Sequence, residues 1–307
     1  MRKPLLTQAY AAPTRQVAVV NECGVESIST IPNEHALTVF VDKRELVTLM
    51  TLGSHPELLV LGYLRNQRLV QSLDEVESIT VDWEVGAAAV KTRHGIAHME
   101  ERTARRVVTT GCGQGSVFGG LMDDVDRITL APACLSQSEL YGLVNAIRLR
   151  DSIYKRAGSV HGCALFQGDA MLVFVEDVGR HNAIDTIAGW MWMQDEAPTL
   201  AASRAALPPE GERFALGRPG GESMSGADKV FYTTGRLTSE MVIKSAQMGV
   251  PIVVSRSGIT AMALELAQRL GLCTIGRATH KRFLCYSASE RLVMQNDLAS
   301  PRLRAVA

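Results

Sequence analysis

Val173–Asp185 reads V-F-V-E-D-V-G-R-H-N-A-I-D, and the interpretation of the whole chain starts from this stretch. An apolar run, Met171–Val175, predicts a β-strand that stops at two carboxylates, Glu176 and Asp177. A glycine turn and a helix-compatible segment follow. Strand, polar turn and helix in this order form the βα unit whose turn carries function in open α/β sheets. The stretch therefore predicts an α/β fold with a functional turn at the end of a strand.

The turn of this unit supplies the first candidate binding residues. Asn182 is predicted to be the N-cap of a helix that begins at Ala183, because asparagine side chains accept hydrogen bonds from the first helical turn. Arg180 and His181 come immediately before Asn182 and offer cationic groups to a ligand. We therefore treat Arg180 and His181 as candidate ligand-binding residues.

The same pattern recurs twice downstream. Its strands and helices are Lys229–Thr234 leading to Glu240–Met248, and Pro251–Ser255 leading to Ala261–Leu270. Both strands are short and almost continuously apolar, as expected of parallel strands that are covered on both faces. Each turn carries an arginine, Arg236 in the first and Arg256 in the second, and a serine or threonine that is available to cap the next helix. The repetition predicts a parallel sheet with an arginine beyond each strand end.

A last predicted strand, Leu272–Ile275, precedes the most basic segment of the chain. The residues of this segment are Arg277, Ala278, Thr279, His280, Lys281 and Arg282. If the strands are parallel, right-handed crossovers place this segment and the other arginine turns along one edge of the sheet. Helix N-termini add partial positive charge there, so we predict a cationic crevice for a phosphorylated ligand. Glu176 and Asp177 are expected to orient its arginines or to accept hydrogen bonds from a base.

Composition limits the classes of function. The 307 residues are enough for one large domain or two ordinary ones, and 32 Lys plus Arg balance 32 Asp plus Glu. A balanced charge argues against extended binding of nucleic acid or of a membrane surface. The sequence shows neither a signal peptide nor an apolar run long enough to cross a membrane. We therefore expect a cytoplasmic protein without nucleic-acid or membrane partners.

Six cysteines occur, and no two of them form a C-x-x-C pair or a zinc-finger spacing. Four of them lie in or beside apolar runs and are expected to be small buried hydrophobic residues: Cys134, Cys163, Cys273 and Cys285. Cys112 differs, because it lies in the glycine-rich run Gly111–Ser116, where its thiol would be sterically open. From the residues alone, Cys112 is either a reactive thiol or an incidental cysteine in a linker.

The first third of the chain predicts a small α+β module. Its expected elements are a hairpin of Ala36–Asp42 and Glu45–Thr51, a helix over His55–Arg65, and strands over Ile79–Glu84 and Ala87–Thr92. We place a domain boundary between residues 118 and 119, so that the second domain covers 119–307. Residues 194–227, rich in proline and glycine, are predicted to form a surface insertion in that second domain.

Three further patterns are of local interest. Ser136 and Glu139 have the spacing of a capping box at a helix start. His161 lies near the start of the predicted strand Ser159–Phe166 and is either a catalytic residue or a hydrogen-bonded core histidine, and we favour the second interpretation. His94 and His98 have the spacing of a metal pair, but no third ligand accompanies them and Gly95 disfavours a helix there. We therefore predict no metal site.

Several of these segments resemble the formate dehydrogenase accessory sulfurtransferase family FdhD (FdhD/NarQ). They are E-D-V-G-R-H-N-A-I-D (Glu176–Asp185), G-R-L-T-S-E-M-V (Gly235–Val242), V-P-I-V-V-S-R-S (Val250–Ser257), L-E-L-A-Q-R-L-G (Leu264–Gly271) and L-G-Y-L-R-N-Q-R-L-V (Leu61–Val70). The resemblance implies a cytidine-deaminase-like three-layer α/β/α sandwich with a smaller N-terminal α+β module. It also implies a homodimer.

The resemblance further implies a sulfur carrier required for formate dehydrogenase activity. Such proteins take sulfur from a cysteine desulfurase as a persulfide and pass it to the bis-molybdopterin guanine dinucleotide cofactor of the formate dehydrogenase catalytic subunit. Cys112 matches the persulfide-forming first cysteine of the family's C-x-x-C motif, whereas Gly115 replaces the second. Arg277–Arg282 matches the family's cofactor-binding segment, for which GDP is the expected mimic. One thiolate suffices to attack an electron-deficient sulfur, so Cys112 alone can still carry sulfur.

Two other functions stay open beside the sulfurtransferase. Gly115 allows a non-catalytic chaperone that binds the molybdenum cofactor and docks on the apo-enzyme. The implied fold also allows a nucleotide deaminase, which needs H-x-E and P-C-x-x-C motifs to hold zinc and move protons. His161-Gly162-Cys163 lacks the glutamate, and no P-C-x-x-C occurs, which disfavours the deaminase.

Overall fold

The computed structural model describes residues 3–96, 99, 106–109, 115–118, 125–194 and 224–298. The strands are β1 (Leu5–Leu6), β2 (Thr14–Val20), β3 (Glu26–Pro32), β4 (His35–Val41), β5 (Arg44–Thr51), β6 (Val76–Asp82), β7 (Ala87–Thr92), β8 (Arg106–Thr109), β9 (Gly115–Phe118), β10 (Leu135–Ser136), β11 (His161–Gln167), β12 (Ala170–Asp177), β13 (Lys229–Thr233), β14 (Ile252–Ser255), β15 (Cys273–Thr279), β16 (Arg282–Ser287) and β17 (Leu292–Val293). The α-helices are α1 (Pro56–Asn66), α2 (Gln137–Leu149), α3 (Ile153–Ala157), α4 (Arg180–Met193), α5 (Ser239–Gln247) and α6 (Ala261–Leu270). Within these described residues, no helix is long and apolar enough to cross a membrane.

The chain divides into two compact units, and each unit is assembled from separate stretches of sequence. Unit 1 takes its residues from Met1–Val125, Asp151–Cys163 and Val173–Ser225. Unit 2 takes its residues from Asp126–Arg150, Ala164–Leu172 and Gly226–Ala307. The domain boundary between residues 118 and 119 stays a prediction. Most of the predicted 194–227 insertion lies outside the described residues.

Unit 1 contains a five-stranded sheet in the order β1-β6-β7-β4-β5. The predicted hairpin is confirmed, because β4 and β5 pair antiparallel from His35 opposite Thr51 to Val41 opposite Arg44. β6 and β7 also pair antiparallel, as their alternating sequences predicted. The side chains of β4 alternate between buried and partly exposed along most of the strand, so one face of this sheet supplies core residues.

The helices α1 and α4 of unit 1 touch backbone to backbone through two glycines. A Cβ atom added to Gly62 would lie 1.6 Å from the carbonyl oxygen of Asp185, and one added to Gly189 would lie 2.0 Å from that of Leu58. Arg65 Nη1 donates a 2.9 Å hydrogen bond to the carbonyl oxygen of Ala188 across the same contact. Only glycine permits such an approach, so this helix pair fixes the position of α4 within the unit.

The start of α4 differs from the prediction. The helix begins at Arg180 with Gly179 as N-cap, and not at Ala183 with Asn182 as N-cap. The Nδ2 atom of Asn182 instead donates hydrogen bonds to the carbonyl oxygen of Met50 at 2.6 Å and to Oδ1 of Asp177 at 2.9 Å. The local sequence allowed Asn182 to cap, but partners from β5 and β12 use its side chain and let the helix start one turn earlier.

The second large sheet has six strands in the order β12-β11-β13-β14-β15-β16. Within unit 2, β13, β14 and β15 are parallel, as the repeated pattern predicted. Every residue of β13 and β14 is buried, which confirms that both faces of these strands are covered. The capping box before α2 is also confirmed: Ser136 Oγ accepts from the Glu139 amide at 3.2 Å, and the Ser136 amide donates to Glu139 Oε2 at 2.8 Å. The cytidine-deaminase-like layering stays a prediction.

The basic segment that follows the last parallel strand is a hairpin and not a loop. β15 continues through Thr279, two residues turn, and β16 begins at Arg282 and returns antiparallel with Thr279 opposite Arg282. The predicted strand end at Ile275 was therefore too early. The alternation of Arg277 exposed and Ala278 buried is a strand pattern that the cluster of charges concealed.

Candidate functional site

Three segments at the carboxyl ends of β13, β14 and β15 are joined by hydrogen bonds within unit 2. We call residues 234–238, 256–260 and 276–282 the arginine loops. The Arg256 amide donates to the Thr233 carbonyl at 3.0 Å, and the Arg277 amide donates to the Ser257 carbonyl at 2.7 Å. Arg256 and Arg277 are thus each tied through their own backbone to the preceding strand or loop.

The first two arginine loops also form a short parallel bridge. Leu237 and Ile259 pair, with the Leu237 amide donating to Gly258 at 2.9 Å and the Thr260 amide donating to Leu237 at 3.0 Å. The Ser255 hydroxyl donates a 2.7 Å bond to the carbonyl oxygen of Gly235. These hydrogen bonds continue the parallel pairing beyond the ends of β13 and β14. They therefore fix the backbone of the loops that carry Arg236 and Arg256.

The arginine loops carry exposed positive charge. Arg236, Arg256 and Arg277 are exposed, and none of the three forms an ion pair within the described part of the chain. The nearest acidic residue in sequence, Glu240, is buried and pairs with Lys244 of the same helix at 3.0 Å. The positive charge of the loops is therefore available to an anionic ligand.

Two helix N-termini begin at these loops. Thr238 and Thr260 occupy the N-cap positions of α5 and α6, but neither side chain makes a capping hydrogen bond. The Thr238 side chain is 4% exposed, and its hydroxyl oxygen has no hydrogen-bond partner among the described residues. Uncapped first turns leave amide donors and the positive ends of two helix dipoles at the loops. A phosphate or carboxylate fits this donor set.

The hairpin of the third arginine loop is anchored from both sides. Arg277 and His280 adopt positive φ values of 51° and 53°. A Cβ atom added to Gly276 would lie 2.7 Å from the ring of Tyr286 and 2.9 Å from the carbonyl oxygen of Ser257, so glycine is required where β15 passes the second loop. Tyr141 of α2 donates from its hydroxyl to the carbonyl oxygen of Lys281 at 3.3 Å. His280, Lys281 and Arg282 are exposed on this fixed backbone.

Arg180 and His181 are placed in unit 1, at the start of α4. Arg180 is only 4% exposed, and its carbonyl oxygen lies 3.9 Å from the sulfur of Cys163. His181 is half-buried. The structure thus brings Arg236, Arg256 and Arg277–Arg282 together within one unit, as predicted, while a shared role for Arg180 and His181 stays a prediction.

Glu176 and Asp177 have partners that the sequence did not indicate. Glu176 accepts the amides of Ile153 at 2.7 Å and Tyr154 at 3.0 Å, which places a carboxylate at the N-terminus of α3. Asp177 Oδ2 accepts from the Thr51 hydroxyl at 2.6 Å and the Leu52 amide at 3.3 Å. Burial raises the pKa of Asp177 to about 6, although these hydrogen bonds and those to Oδ1 act in the opposite direction. A contact of either carboxylate with a ligand stays a prediction.

Cys112 lies outside the described residues, as does His98. The strands that flank Cys112 are described: β8 and β9 pair antiparallel, with Thr109 opposite Gly115. Gly115, the position of the missing second cysteine, is therefore the first residue of β9. The described residues contain no group of three or more His, Cys, Asp or Glu side chains that could hold a metal ion.

Two of the four cysteines that were predicted to be buried are buried in the structure, and two are not. Cys163 and Cys273 are buried, as predicted, but Cys134 is exposed and Cys285 is only partly buried. The sulfur atoms of Cys273 and Cys285 lie 3.9 Å apart, a pairing that the sequence analysis missed. Little in the sequence indicated this pair, because Cys273 lies seven residues before the turn residue His280 and Cys285 lies only four residues after Lys281.

Comparisons with known proteins agree with this architecture. The family model described as the FdhD/NarQ family matches residues 32–207 and 215–293. The chain is 28% identical over 266 residues to the sulfur carrier protein FdhD of Bacillus subtilis, covering 84% of this chain and 88% of the relative. It is 26% identical over 287 residues to the sulfur carrier protein FdhD of Geobacillus kaustophilus, covering 93% and 98%.

A solved structure shows the same fold. It is the crystal structure of a protein assigned as a formate dehydrogenase accessory protein from Desulfotalea psychrophila. The superposition has a TM-score of 0.64 at 23% identity and covers 91% of this chain and 98% of that one. The family match spans well over half of the sequence, and the chain belongs to the FdhD/NarQ family.

Proposed function

We propose that this protein is a cytoplasmic sulfur carrier that serves the maturation of formate dehydrogenase. The observation that carries the proposal is the extent of the family match, which includes both Cys112 and the whole of Arg277–Arg282. Relatives from several bacteria are named sulfur carrier protein FdhD, and they align with most of this chain. The proposed partners are a cysteine desulfurase as donor, the formate dehydrogenase catalytic subunit as client, and a second copy of the chain.

The loading step requires one thiolate. The Cys112 thiolate attacks the terminal sulfur of a persulfide on the desulfurase, the sulfur–sulfur bond of that persulfide breaks, and the desulfurase cysteine leaves as a thiolate. Cys112 then carries the sulfur as a persulfide. Because Gly115 occupies the position of the second motif cysteine, no neighbouring thiol can displace that sulfur as sulfide and close a C-x-x-C disulfide. In this chain the persulfide must keep its sulfur until the acceptor is present.

The acceptor in this proposal is the bis-molybdopterin guanine dinucleotide cofactor, held as cargo at the arginine loops. Its pyrophosphates suit the exposed Arg236, Arg256 and Arg277–Arg282 and the two uncapped helix N-termini. The unpartnered hydroxyl of Thr238 offers a further hydrogen-bonding group. A ligand-binding role for Arg180 and His181, which the sequence predicts, is a separate part of the proposal. GDP contains the same guanosine and diphosphate groups and serves as the test ligand.

One specific observation supports a second function. The substitution of Gly115 for the second motif cysteine is compatible with a protein that no longer moves sulfur. Such a protein would bind the cofactor at the arginine loops and hand it to the apo-dehydrogenase as a chaperone. The two functions share the binding site and differ only in the need for Cys112.

The deciding experiment is a sulfur-transfer assay with isotopically labelled cysteine and a cysteine desulfurase, followed by non-reducing mass spectrometry. Label on Cys112 of the wild type, absent from Cys112→Ala, would establish the carrier. The matched control is Cys23→Ala, which removes an exposed cysteine of unit 1 and should leave labelling intact. Unlabelled Cys112, with GDP binding intact in a calorimetric titration and formate dehydrogenase activation unaffected by Cys112→Ala, would leave the chaperone as the function.

A further inference from the structure

Two cysteines of unit 2 face each other across the β15–β16 hairpin. Cys273 is the first residue of β15, and Cys285 lies in β16 opposite Ile275. Side chains two residues apart on a strand share a face, so Cys273 and Cys285 project from the same side of the pair. A register shift between Thr274 and Ile275 occurs at this point, and the two sulfur atoms are 3.9 Å apart.

The two thiols differ in their surroundings. Cys273 is fully buried, with 0% of its surface exposed, whereas Cys285 is only partly buried. Cys285 is therefore the more accessible residue of the two. A nucleophilic thiol must be reached by its substrate, whereas a resolving thiol needs only to reach the sulfur of the nucleophile, so Cys285 suits the first role and Cys273 the second.

The pKa values of the two thiols differ in the same sense as their exposure. Hydrogen bonding from Cys273 lowers the pKa of Cys285 to about 7, against the opposing effects of burial and of Glu290. Donation of that hydrogen bond and burial raise the pKa of Cys273, and Arg291 opposes this. Arg291 is held in place by hydrogen bonds to the carbonyl oxygens of Gly271 at 2.9 Å and Ala131 at 2.7 Å. Cys285 is thus the more acidic thiol of the pair, and Cys273 is its proton-bearing partner.

We propose that Cys285 and Cys273 form a second, two-thiol site that exchanges sulfur with disulfides and persulfides, with Cys285 as nucleophile and Cys273 as resolving thiol. The site lies wholly in unit 2 and does not depend on Cys112. Its substrates share one chemistry, a divalent sulfur atom bonded to a second sulfur that can leave. The pair is joined by the same hairpin that carries the third arginine loop.

The proposed reaction has two steps. The Cys285 thiolate attacks one sulfur of a disulfide RSSR, forms the mixed disulfide Cys285–S–S–R, and releases RS⁻. The Cys273 thiol then gives its proton to the released RS⁻ and attacks the Cys285 sulfur, which breaks the sulfur–sulfur bond of Cys285–S–S–R, forms the Cys273–Cys285 disulfide and releases the second RS⁻. The two cysteines are oxidised by two electrons, and the external disulfide is reduced to two thiols. With a persulfide RSSH as donor, the Cys285 thiolate attacks the terminal sulfur, forms the persulfide Cys285–S–SH and releases RS⁻. Cys273 then attacks the Cys285 sulfur, which forms the Cys273–Cys285 disulfide, breaks the bond to the outer sulfur and releases it as HS⁻.

Closure of the pair needs only local movement. The sulfur atoms must approach from 3.9 Å to the bonding distance of about 2.0 Å, which rotation of the two side chains can provide. β15 and β16 are already paired on both sides of the site, at Thr274 with Ser287 and at Gly276 with Leu284. Strand pairing therefore fixes the backbone on both sides of the two thiols.

Glutathione disulfide is the first probe, with products mapped by peptide mass spectrometry under non-reducing conditions. The wild type should end with a Cys273–Cys285 linkage, Cys273→Ser should retain one glutathione on Cys285, and Cys285→Ser should retain none at either position. Cys23→Ser, an exposed-cysteine control, should behave as the wild type. Glutathione found only on Cys23 or Cys134, with Cys273 and Cys285 unlinked in the wild type, would overturn the proposal; this result needs no variant to fold.

A second experiment uses glutathione persulfide and tests whether the site accepts persulfides as well as disulfides. Retention of one extra sulfur atom on Cys285 in Cys273→Ser, together with sulfide release by the wild type, would extend the site to persulfides. Reaction with the disulfide alone would confine it to disulfides and still support a two-thiol exchange site. Equal sulfide release by the wild type and by Cys285→Ser would remove the persulfide part of the proposal. Both experiments are unaffected by Cys112→Ala if the two thiol sites are independent.

Discussion

Unit 1 and unit 2 each contain a strand, an arginine-bearing turn and a helix, but they use the arginine differently. In unit 1 the turn after β12 leads into Arg180, which is the first residue of α4 and is 4% exposed. In unit 2, Arg236 and Arg256 precede the N-caps Thr238 and Thr260 by two and four residues, and both are exposed. The comparison shows that position relative to the helix start decides whether such an arginine is buried or presented.

The reason is the packing of the following helix. α4 is buried along almost its whole length, because α1 contacts it through glycine backbone. A residue in its first turn is therefore enclosed, whereas a residue in a loop before the N-cap remains outside the helix packing. Arg180 of unit 1 is thus buried, whereas Arg236 and Arg256 of unit 2 lie at the protein surface. Four predictions test this division, from the largest expected effect to the smallest.

The glycine contact between α1 and α4 should be the most sensitive position. Gly62→Ala places a Cβ atom 1.6 Å from the Asp185 carbonyl oxygen, so the helices must separate. We expect the free energy of unfolding to fall by roughly 4 kcal/mol or more. Gly258→Ala, in the second arginine loop, meets no atom within 4 Å and should stay within about 0.5 kcal/mol of the wild type. Urea unfolding of both variants checks this, and equal losses would contradict the division.

Asp177 should make the stability of the unit 1 turn depend on pH. Its pKa is raised to about 6 in the folded protein, so it binds a proton more tightly there than in the unfolded chain. Its contribution to stability is therefore fully present below the unfolded pKa and is lost as the pH rises through about 6. We expect a decrease of about 3 kcal/mol in the free energy of unfolding between the two ends of this range.

Comparison with Asp177→Asn isolates the pH-dependent contribution of Asp177 to stability, because the asparagine amide does not titrate. The difference in unfolding free energy between the wild type and the variant should decrease as the pH is raised from below 4 to above 6. A difference that stays constant with pH would show that Asp177 titrates normally. At neutral pH the variant also loses acceptor capacity for the four donors at this carboxylate.

The arginine loops should show the reverse behaviour, with loss of ligand binding and little loss of stability. Arg236→Ala and Arg256→Ala should each weaken GDP binding about tenfold, because each removes one charge-assisted contact to the diphosphate. The unfolding midpoints should barely move, since both side chains are exposed. Arg15→Ala, an exposed arginine of β2, is the control that should leave GDP affinity unchanged. Calorimetric titration measures the affinity; unchanged binding in both loop variants would remove the ligand role of these loops.

The smallest expected effect is a shift in the pH dependence of the alkylation rate of Cys285. Its alkylation rate by iodoacetamide should rise with pH and reach half its maximum near the pKa of about 7. Cys273→Ala removes the hydrogen-bond donor and should move the midpoint upward toward the ordinary value for cysteine of about 8.5. Cys273→Ser keeps a donor and should move it less. Peptide-resolved alkylation kinetics check this, and identical midpoints in all three proteins would show that Cys273 has no influence.

The sequence by itself determined the local elements. Hydrophobic periodicity and turn residues act over a few positions, so the β4–β5 hairpin, the capping box of α2 and the parallel strands β13 and β14 were predicted correctly. The family was also recognisable from the sequence, because motifs such as E-D-V-G-R-H-N-A-I-D are local. The arginine that follows each strand was also predicted from the sequence, because strand and arginine are close together along the chain.

Only the tertiary structure decided how side chains distant in sequence meet. Asn182 was predicted to cap a helix, but its side-chain amide donates to the carbonyl oxygen of Met50, 132 residues away. Asp177 accepts a hydrogen bond from Thr51, 126 residues away, which no local pattern indicated. Cys273 and Cys285 became a pair only when β15 and β16 folded together in their particular register. Hydrogen bonds and thiol contacts need distances of a few ångströms, and periodicity along a chain fixes the face of an element but not which distant residue lies opposite.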